Sequence, residues 1–375
     1  MRQSLLVLIF CFSLSGFVNA QKDYSVIKKE IDHSVDSLLT LYKVPGISFE
    51  INTPEFSYAN TTGLGDIQTG VKRNLNDKIR IGSITKTFVA TVILQLTDEG
   101  KLKIDDKLSE YYPDYPNSEN ITLRQVLDMT SGIPDYIDDS AVTKSFFYDR
   151  MDKYTPEEIY EITKKMKPYF PPGTAWHYSN GNYNILGMLI EKITGNKVYN
   201  EIENRIIKPL GLKNTSFPLT PYMDGQYSHG YMKNNSTGET TDVTVIDPSI
   251  TWAAGAMISD FDDLKIYSEA LVNGSMLSKA AQEERLKFVK TGVVDFLEYG
   301  LGIASVGGFI GHNGGITGYN TSMYIHPELK AQIMVSVNEF GEDGEYQIKY
   351  FQLLLISFFP KRIFLKNNKY IYYER

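Results

Sequence analysis

Ser83 and Lys86 stand three residues apart at the start of an apolar segment that predicts a helix, so both side chains lie on one helical face. A lysine in a dry cleft has a lowered pKa and can accept the proton that a serine hydroxyl loses during nucleophilic attack. The helix N-terminus adds positive potential where an oxyanion forms. Ser25 and Lys28 repeat the spacing, but they belong to a predicted solvent-facing helix. Ser83 instead follows a glycine and leads into an apolar helix, which favours it as a nucleophile.

A second polar element is the tripeptide Tyr178-Ser179-Asn180. A phenol beside a lysine ammonium can ionise and transfer a proton, and an asparagine amide can hold a substrate carbonyl. The same Tyr-x-Asn spacing occurs at residues 58–60 and 115–117, in a strand-like stretch and beside prolines, where structural roles are favoured. Tyr178 and Asn180 are therefore the candidates.

A third element is expected on a strand that closes the site opposite the serine, and two segments qualify. Residues 290–292 read Lys-Thr-Gly, and residues 311–315 read Gly-His-Asn-Gly-Gly. Lys290 follows a charged helix and is typical of a basic last turn with a glycine stop. His312 lies among four glycines, which allow the backbone to approach a ligand closely. The context favours His312.

The composition narrows the class of protein. The 375 residues are 42% hydrophobic and 22% charged, which excludes disorder, collagen-like repeats and a disulfide-built miniprotein. Lys+Arg 38 against Asp+Glu 45 gives a net charge of -7, which argues against a nucleic-acid or anionic-membrane partner. One Cys and five His, without HExxH or HxH pairing, predict neither a metal site nor a cofactor.

The first twenty residues predict a secretory signal peptide, residues 1–20. Arg2 precedes an apolar run over residues 5–12, and residues 18–20 supply a small-residue cleavage end. An uncleaved N-terminal anchor is the alternative. The segment predicts a bacterial protein that is secreted or periplasmic.

The order of predicted elements along the rest of the chain is strands, helices, strands and a last helix. This order indicates an α+β fold in which an antiparallel sheet is interrupted by a mostly helical insertion. We expect one hydrolase domain over residues 21–360, with the helical lobe at about 83–250, and a basic and aromatic tail at 361–375.

Six motifs occur in the order typical of one family. They are IGSITKTF at 81–88, LDMTSGIP at 127–134, YSN at 178–180, PLGL at 209–212, AAGAMIS at 253–259 and GHNGG at 311–315. The chain resembles the serine β-lactamase-like, penicillin-recognising hydrolases. Its branch contains class C β-lactamases, D-alanyl-D-alanine carboxypeptidases of the Tyr-x-Asn type, D-aminopeptidases and related esterases. The resemblance covers about residues 25–358.

The resemblance implies a five-stranded antiparallel sheet flanked by helices, with the site in a groove beside the helical lobe. It implies that Ser83 is the acylated nucleophile and Lys86 its proton acceptor. Tyr178 would share the proton and deliver it to the leaving group.

The same resemblance implies the substrate-binding residues. Asn180 would orient the substrate amide, and His312 would replace the lysine of the third motif. Gly314 and Gly315 complete that motif, with the oxyanion between the backbone N–H groups of Ser83 and Gly315.

The third motif also departs from the family pattern. Carboxypeptidases of this type tend to place hydroxyl residues there to bind the substrate carboxylate, whereas this chain has Asn313 and Gly315. A mostly neutral His312 offers less fixed positive charge than lysine. An esterase or an amidase acting at an amino-terminal D-residue gains support.

The sequence therefore predicts an exported serine hydrolase that forms an acyl-enzyme at Ser83 on an amide or ester. The expected partners are a small peptide, ester or β-lactam substrate, most directly a D-amino-acid or cell-wall-type peptide, with peptidoglycan as a further candidate. A serine β-lactamase and a non-catalytic peptidoglycan-binding or sensor protein are the alternatives. The sequence leaves the oligomeric state open.

Overall fold

The computed structural model describes residues 24–234 and 237–340, which form one large antiparallel sheet with helices packed against it. The predicted signal peptide, the predicted last helix at 346–359 and the tail at 361–375 lie outside these residues. No helix in the described ranges combines the length and apolar character needed to cross a bilayer.

The described helices are short to medium in length, and most of them follow one another in the middle of the chain. Their bounds are α1 Ser25–Tyr42, α2 Thr85–Asp98, α3 Leu123–Leu127, α4 Ser140–Phe147, α5 Pro156–Lys165, α6 Asn180–Thr194, α7 Val198–Ile202, α8 Lys208–Leu210, α9 Trp252–Gly255, α10 Phe261–Asn273 and α11 Lys279–Arg285. Single 3₁₀ turns occur at Gly82–Ile84, Leu108–Glu110, Tyr136–Asp138 and Pro248–Ile250, and a π turn at Glu203–Ile207.

The described strands are β1 Gly46–Asn52, β2 Ser57–Asp66, β3 Val71–Lys72, β4 Ile79–Arg80, β5 Tyr231–Lys233, β6 Thr240–Asp242, β7 Ile258–Ser259, β8 Val289–Lys290, β9 Leu297–Tyr299, β10 Ala304–Val306, β11 Phe309–Ile316, β12 Tyr319–His326 and β13 Ala331–Val337. The main sheet has the order β3-β2-β1-β13-β12-β11-β10-β9-β8, and β4-β7 and β5-β6 are separate pairs. N-terminal β1 lies between β2 and C-terminal β13, so both halves of the sequence build one sheet.

The expected five-stranded sheet is wrong in its strand number, because nine strands pair in the main sheet of the described residues. Five long strands of 7 to 10 residues, β2, β1, β13, β12 and β11, are contiguous at its centre. The additional strands have only two or three residues each and extend the two sides. Such short segments carry too little alternation to be recognised in a sequence.

The helical insertion is present in outline: α2 to α8 follow one another between β4 and β5. The domain bounds at 21–360 and the lobe bounds at about 83–250 stay predictions. α1, which the sequence predicts from its apolar spacing, packs against β1 and β2.

Helix α2 carries the candidate nucleophile into the interior. Every residue from Thr85 to Leu94 is buried, so the helix is enclosed on all sides rather than amphipathic. Phe88 stacks on Tyr267 of α10, with ring centroids 3.7 Å apart and the planes within 9°. The helix ends at Asp98, and Gly100 adopts a positive φ of 71° shortly after it, as is common where a helix stops. This enclosure gives the site a rigid base.

We expect Phe88→Ala to lower the free energy of unfolding by about 3–5 kcal/mol, because it removes a fully buried ring and leaves a cavity. Urea denaturation followed by circular dichroism measures the loss. Leu41→Ala is the matched control: Leu41 is 69% exposed, and its loss should change stability by less than about 0.5 kcal/mol. Equal effects of the two substitutions would contradict the central role of α2.

Candidate active site

Ser83 lies in the single 3₁₀ turn Gly82–Ile84 that leads directly into α2. Its neighbours Gly82 and Ile84 are buried, whereas Ser83 itself is partly exposed. Gly82 has a φ of 48°, in the left-handed region that favours glycine. The turn therefore presents the hydroxyl to solvent at the N-terminus of a buried helix.

The Lys86 side chain is completely buried beneath Ser83. Its Nζ donates to Ser83 Oγ at 3.0 Å, to Asn180 Oδ1 at 2.7 Å and to the Ala254 carbonyl oxygen at 2.7 Å. Burial lowers the pKa of Lys86 to about 7, while the negative charge of Asp135 opposes this change. Near neutral pH the side chain is therefore divided between ammonium and amine.

The Tyr178 ring faces the same amine, with Lys86 Nζ 4.8 Å from the ring centroid. Its buried hydroxyl has no partner in full hydrogen-bonding geometry within the described ranges. Burial raises the pKa of this phenol well above its usual value, although the nearby Ser83 hydroxyl acts in the opposite direction. The neutral phenol is therefore favoured in the resting site, and the part of Tyr178 in proton transfer stays a prediction.

Asn180 is the first residue of α6, and both ends of its amide bind protein groups. Its oxygen accepts from Lys86, and its Nδ2 donates to Asp135 Oδ2 at 2.9 Å. Sequence reasoning missed Asp135, although it directly follows the motif at 127–134. It also missed the Ala254 carbonyl as a ligand of the lysine, because a backbone acceptor has no side-chain signature.

His312 on β11 is buried, and both of its ring nitrogens bind protein groups. Nδ1 bonds the Asn313 carbonyl oxygen, which can only accept, so Nδ1 carries the proton. Nε2 then accepts from the Tyr299 hydroxyl at 2.9 Å. Burial lowers the pKa of His312 to about 3, so the ring is neutral and offers no fixed positive charge. A direct contact with substrate stays a prediction.

Lys290, the alternative third element, lies far from this cluster. Lys290 lies on β8, the outermost strand on that side of the sheet, where it pairs with Glu298 of β9. Three strand spacings separate β8 from β11, about 14 Å. His312 lies close to Tyr178, with ring centroids 6.3 Å apart, so the structure brings the histidine and not the lysine to the cluster.

Gly314 and Gly315 allow β11 to touch the turn that carries Ser83. A Cβ added at Gly314 would lie 1.8 Å from the Ile81 carbonyl oxygen and 3.1 Å from the Ser83 nitrogen. A Cβ at Gly82 would lie 2.9 Å from the Gly315 nitrogen. The backbone nitrogens of Ser83 and Gly315 thus share one small region, as an oxyanion hole requires.

Within residues 24–234 and 237–340, no group of three or more His, Cys, Asp or Glu side chains is arranged to hold a metal ion.

Comparison with known proteins agrees with this arrangement. The family model described as Beta-lactamase matches residues 31–357, most of the chain. The chain belongs to the Beta-lactamase family. Membership makes it a serine hydrolase of the β-lactamase and penicillin-binding type, which works by acyl transfer.

Two curated family members illustrate the range of the similarity. Penicillin-binding protein 4* of Bacillus subtilis (strain 168) is 27% identical over 314 residues, which cover 78% of this chain and 66% of that protein. Protein flp of Staphylococcus aureus (strain COL) is 31% identical over 221 residues, covering 56% of this chain and 42% of that protein. The chain thus spans about two thirds or less of the length of these relatives.

Solved structures of the family cover the chain more fully. A D-stereospecific amidohydrolase from Streptomyces sp. is 31% identical with a TM-score of 0.79, covering 91% of this chain and 100% of that one. The D-amino acid amidase of Ochrobactrum anthropi SV3 complexed with D-phenylalanine has a TM-score of 0.79 at 24% identity, covering 89% and 99%. The second likeness supports the fold alone.

We expect His312→Ala to slow the reaction of Ser83 with a fluorophosphonate by about 10-fold or more, because it removes a buried ring that packs beside Tyr178. Lys290→Ala should leave the rate within about two-fold, since it lies on an outer strand. The second-order labelling rate measures both, and thermal melting checks that each variant is folded. A larger loss in Lys290→Ala would overturn the assignment of the third element.

Proposed function

We propose that this protein cleaves an amide or ester of a D-amino acid or a cell-wall-type peptide through an acyl-enzyme at Ser83. One observation carries the proposal: a buried Lys86 amine with a pKa of about 7 bonds the Ser83 hydroxyl at 3.0 Å. A base whose pKa lies near the working pH is suited to activating a serine.

In the proposed acylation, the amine form of Lys86 takes the Ser83 proton as Oγ attacks the substrate carbonyl carbon. The carbonyl oxygen becomes an oxyanion and receives the N–H groups of Ser83 and Gly315. Collapse of the intermediate breaks the bond to the leaving group, which takes the proton from Lys86 directly or through the neutral Tyr178 hydroxyl. Attack of water on the resulting ester releases the acid and restores Ser83.

Charge at the third element supports the choice of substrate class. His312 is neutral, so it does not provide the fixed positive charge with which a lysine would attract a free substrate carboxylate. Asn313 and Gly315 stand where carboxypeptidases of this type tend to carry hydroxyl residues. These features favour an amide or ester over a peptide recognised by its C-terminal carboxylate. The likeness to a D-stereospecific amidohydrolase supports the D-configuration.

Export is part of the proposal and rests on the composition of residues 1–20. The apolar run and small-residue end support passage to a secreted or periplasmic location, where cell-wall peptides and peptidoglycan are accessible.

A serine β-lactamase is the second candidate, because a penicillin-binding relative shares the family. Both activities begin with acylation of Ser83, and they differ in how fast water removes the acyl group. The non-catalytic alternative is not retained, since the family assignment makes the chain a hydrolase.

We expect Ser83→Ala to abolish the covalent adduct that the wild type forms with a fluorophosphonate or a labelled penicillin, because Ser83 supplies the hydroxyl that bonds Lys86 Nζ, whose other two partners are an amide and a carbonyl oxygen. Intact-mass spectrometry of the purified protein measures the adduct. Ser25→Ala is the matched control, since Ser25 has the same spacing to a lysine in α1. A Ser83-independent adduct, or none with either probe, would sink the nucleophile assignment.

The two probes also separate the substrate classes. A lasting penicillin adduct supports a penicillin-binding peptidase, and its rapid loss supports a β-lactamase. Reaction with the fluorophosphonate alone supports the amidase or esterase. Hydrolysis of D-phenylalanine amide but not its L-enantiomer then tests the configuration.

We expect the fluorophosphonate labelling rate to rise with pH through about 7 and to level off above about pH 8, because the amine form of Lys86 is the base. A lysine with its ordinary pKa would instead give a rate that rises up to about pH 10. Labelling of the wild type between pH 5 and 10 measures the profile. Lys86→Arg should lose about 10²- to 10⁴-fold in rate, because arginine stays protonated. A profile without a step near pH 7 would contradict the role of Lys86.

A further inference from the structure

A buried carboxylate lies behind the Asn180 amide, and the proposed reaction has given it no role. Asp135 is 8% exposed and immediately precedes the turn Tyr136–Asp138. Its Oδ2 accepts from Asn180 Nδ2 at 2.9 Å, and its Oδ1 accepts from the Ile137 backbone N–H at 3.0 Å. Asp135, Asn180 and Lys86 therefore form a continuous hydrogen-bonded chain that leads to Ser83.

The direction of the Asn180 amide matters for the lysine. The oxygen and nitrogen ends of an amide have nearly the same shape, but only the oxygen accepts a hydrogen bond. A flipped amide would point its NH₂ group at Lys86, and two donors would face each other. Burial raises the pKa of the Asp135 carboxyl, whereas the hydrogen bonds from Ile137 and Asn180 and the charge of Lys86 oppose this change. In its ionised form the carboxylate has acceptors only, so it admits only the NH₂ end of the amide and turns the oxygen towards Lys86.

The backbone of Asp135 is itself held in place by a side chain. Its N–H donates to the Tyr169 hydroxyl oxygen at 3.0 Å, and Tyr169 in turn donates to Asp138. This contact fixes the Asp135 backbone, and the Ile137 N–H holds Oδ1 of its carboxylate. This gives the chain of contacts a fixed origin in the loop after α3.

We propose that Asp135 is a positioning residue for the hydrolytic reaction: its carboxylate fixes the orientation of the Asn180 amide, and its charge favours the ammonium form of Lys86. The inference rests on the proposed acylation of Ser83 with Lys86 as base.

The groups around Lys86 support the proposed effect of the Asp135 charge on the lysine. The phenols of Tyr178 and Tyr183 and the imidazole of His312 face Lys86, and all three are uncharged at neutral pH because burial shifts each pKa away from 7. Near Asp135, the phenols of Tyr136 and Tyr169 stay neutral for the same reason. The Asp135 carboxylate is thus the opposite charge that acts on the lysine in the described surroundings.

Two substitutions separate the positioning role of Asp135 from its structural role, which is to accept from the Ile137 N–H at the start of the turn. Asp135→Ser keeps a hydroxyl that can accept from the Ile137 N–H at the start of the turn, but it is neutral and too short to hold Asn180. Asp135→Asn keeps the length, but its NH₂ group permits the flipped amide. Asp139→Asn is the control, because Asp139 is a carboxylate of the same loop whose Oδ1 instead caps α4 by accepting from the Ala141 and Val142 N–H groups.

The full-length protein and the three variants are labelled with a fluorophosphonate from pH 5 to 9, with thermal melting as the check on folding. We expect both Asp135 variants to react about 10- to 100-fold more slowly at their plateau. Their rate profiles should also move to lower pH than the wild type, since the removed negative charge no longer favours the ammonium. Asp139→Asn should match the wild type in both respects.

Failure of this inference is distinguishable from failure of the proposed function. A wild type that forms no Ser83 adduct removes the proposed function itself. A reactive wild type with Asp135 variants of unchanged rate, or of lower rate but unmoved pH profile, overturns the positioning role alone. Absence of a cooperative melting transition in both variants would make Asp135 a folding residue and would likewise reject it.

Discussion

The arrangement of this molecule depends on burying one lysine amine without leaving it unpaired. Moving an ammonium out of water is costly, and the cost is offset only where acceptors surround it. Lys86 has three acceptors, one in the turn before its own helix and two from distant parts of the chain, at the start of α6 and in the short helix α9. All three are available only when α6 and α9 pack against α2. The same burial also lowers the pKa of Lys86 to about 7, so that the amine form is populated at neutral pH.

A second constraint is the contact between β11 and the turn before α2. The Gly314 backbone approaches the Ile81 carbonyl so closely that even a methyl group would not fit. Because β11 is a central strand bonded along its length to β12, its position is set by the whole sheet. The nucleophile is likewise fixed by the enclosed helix α2. Two rigid elements more than two hundred residues apart thus define the spacing between the two backbone N–H groups that the mechanism needs.

The sequence predicts features that are local and misses those that burial creates. The proximity of Ser83 and Lys86 follows from their three-residue spacing and helical geometry alone, and the two side chains are in contact. Asp135 joins the lysine network only because the fold brings it against Asn180. The raised pKa of Tyr178 has the same origin, since the burial of a phenol cannot be read from its neighbours in sequence.

The third element shows that the residues around a motif can improve a prediction that the motif alone leaves open. Motif identity alone favours the literal Lys-Thr-Gly at 290–292, but glycine-rich context favours His312, and only the latter lies on a strand beside the serine. The reason is geometric: a strand that touches a helix N-terminus needs glycines, whereas an outer strand such as β8 does not. The short strands β8, β9 and β10 separate the two candidates, and they are the elements that hydrophobic alternation is least able to predict.

The distribution of charge in the cluster affects which substrates it can recognise. His312 and Tyr178 stay neutral, so charge within the cluster is confined to the Lys86 and Asp135 pair on the buried side of the Asn180 amide. A substrate that enters on the Ser83 side meets backbone N–H groups and neutral rings rather than a fixed cation. Recognition then depends on the carbonyl group that is to be attacked, whose developing negative charge these donors stabilise more strongly than the ground state. The proposed uncharged amide or ester suits such a site better than a carboxylate does, because His312 supplies no fixed positive charge to offset the cost of removing the carboxylate from water.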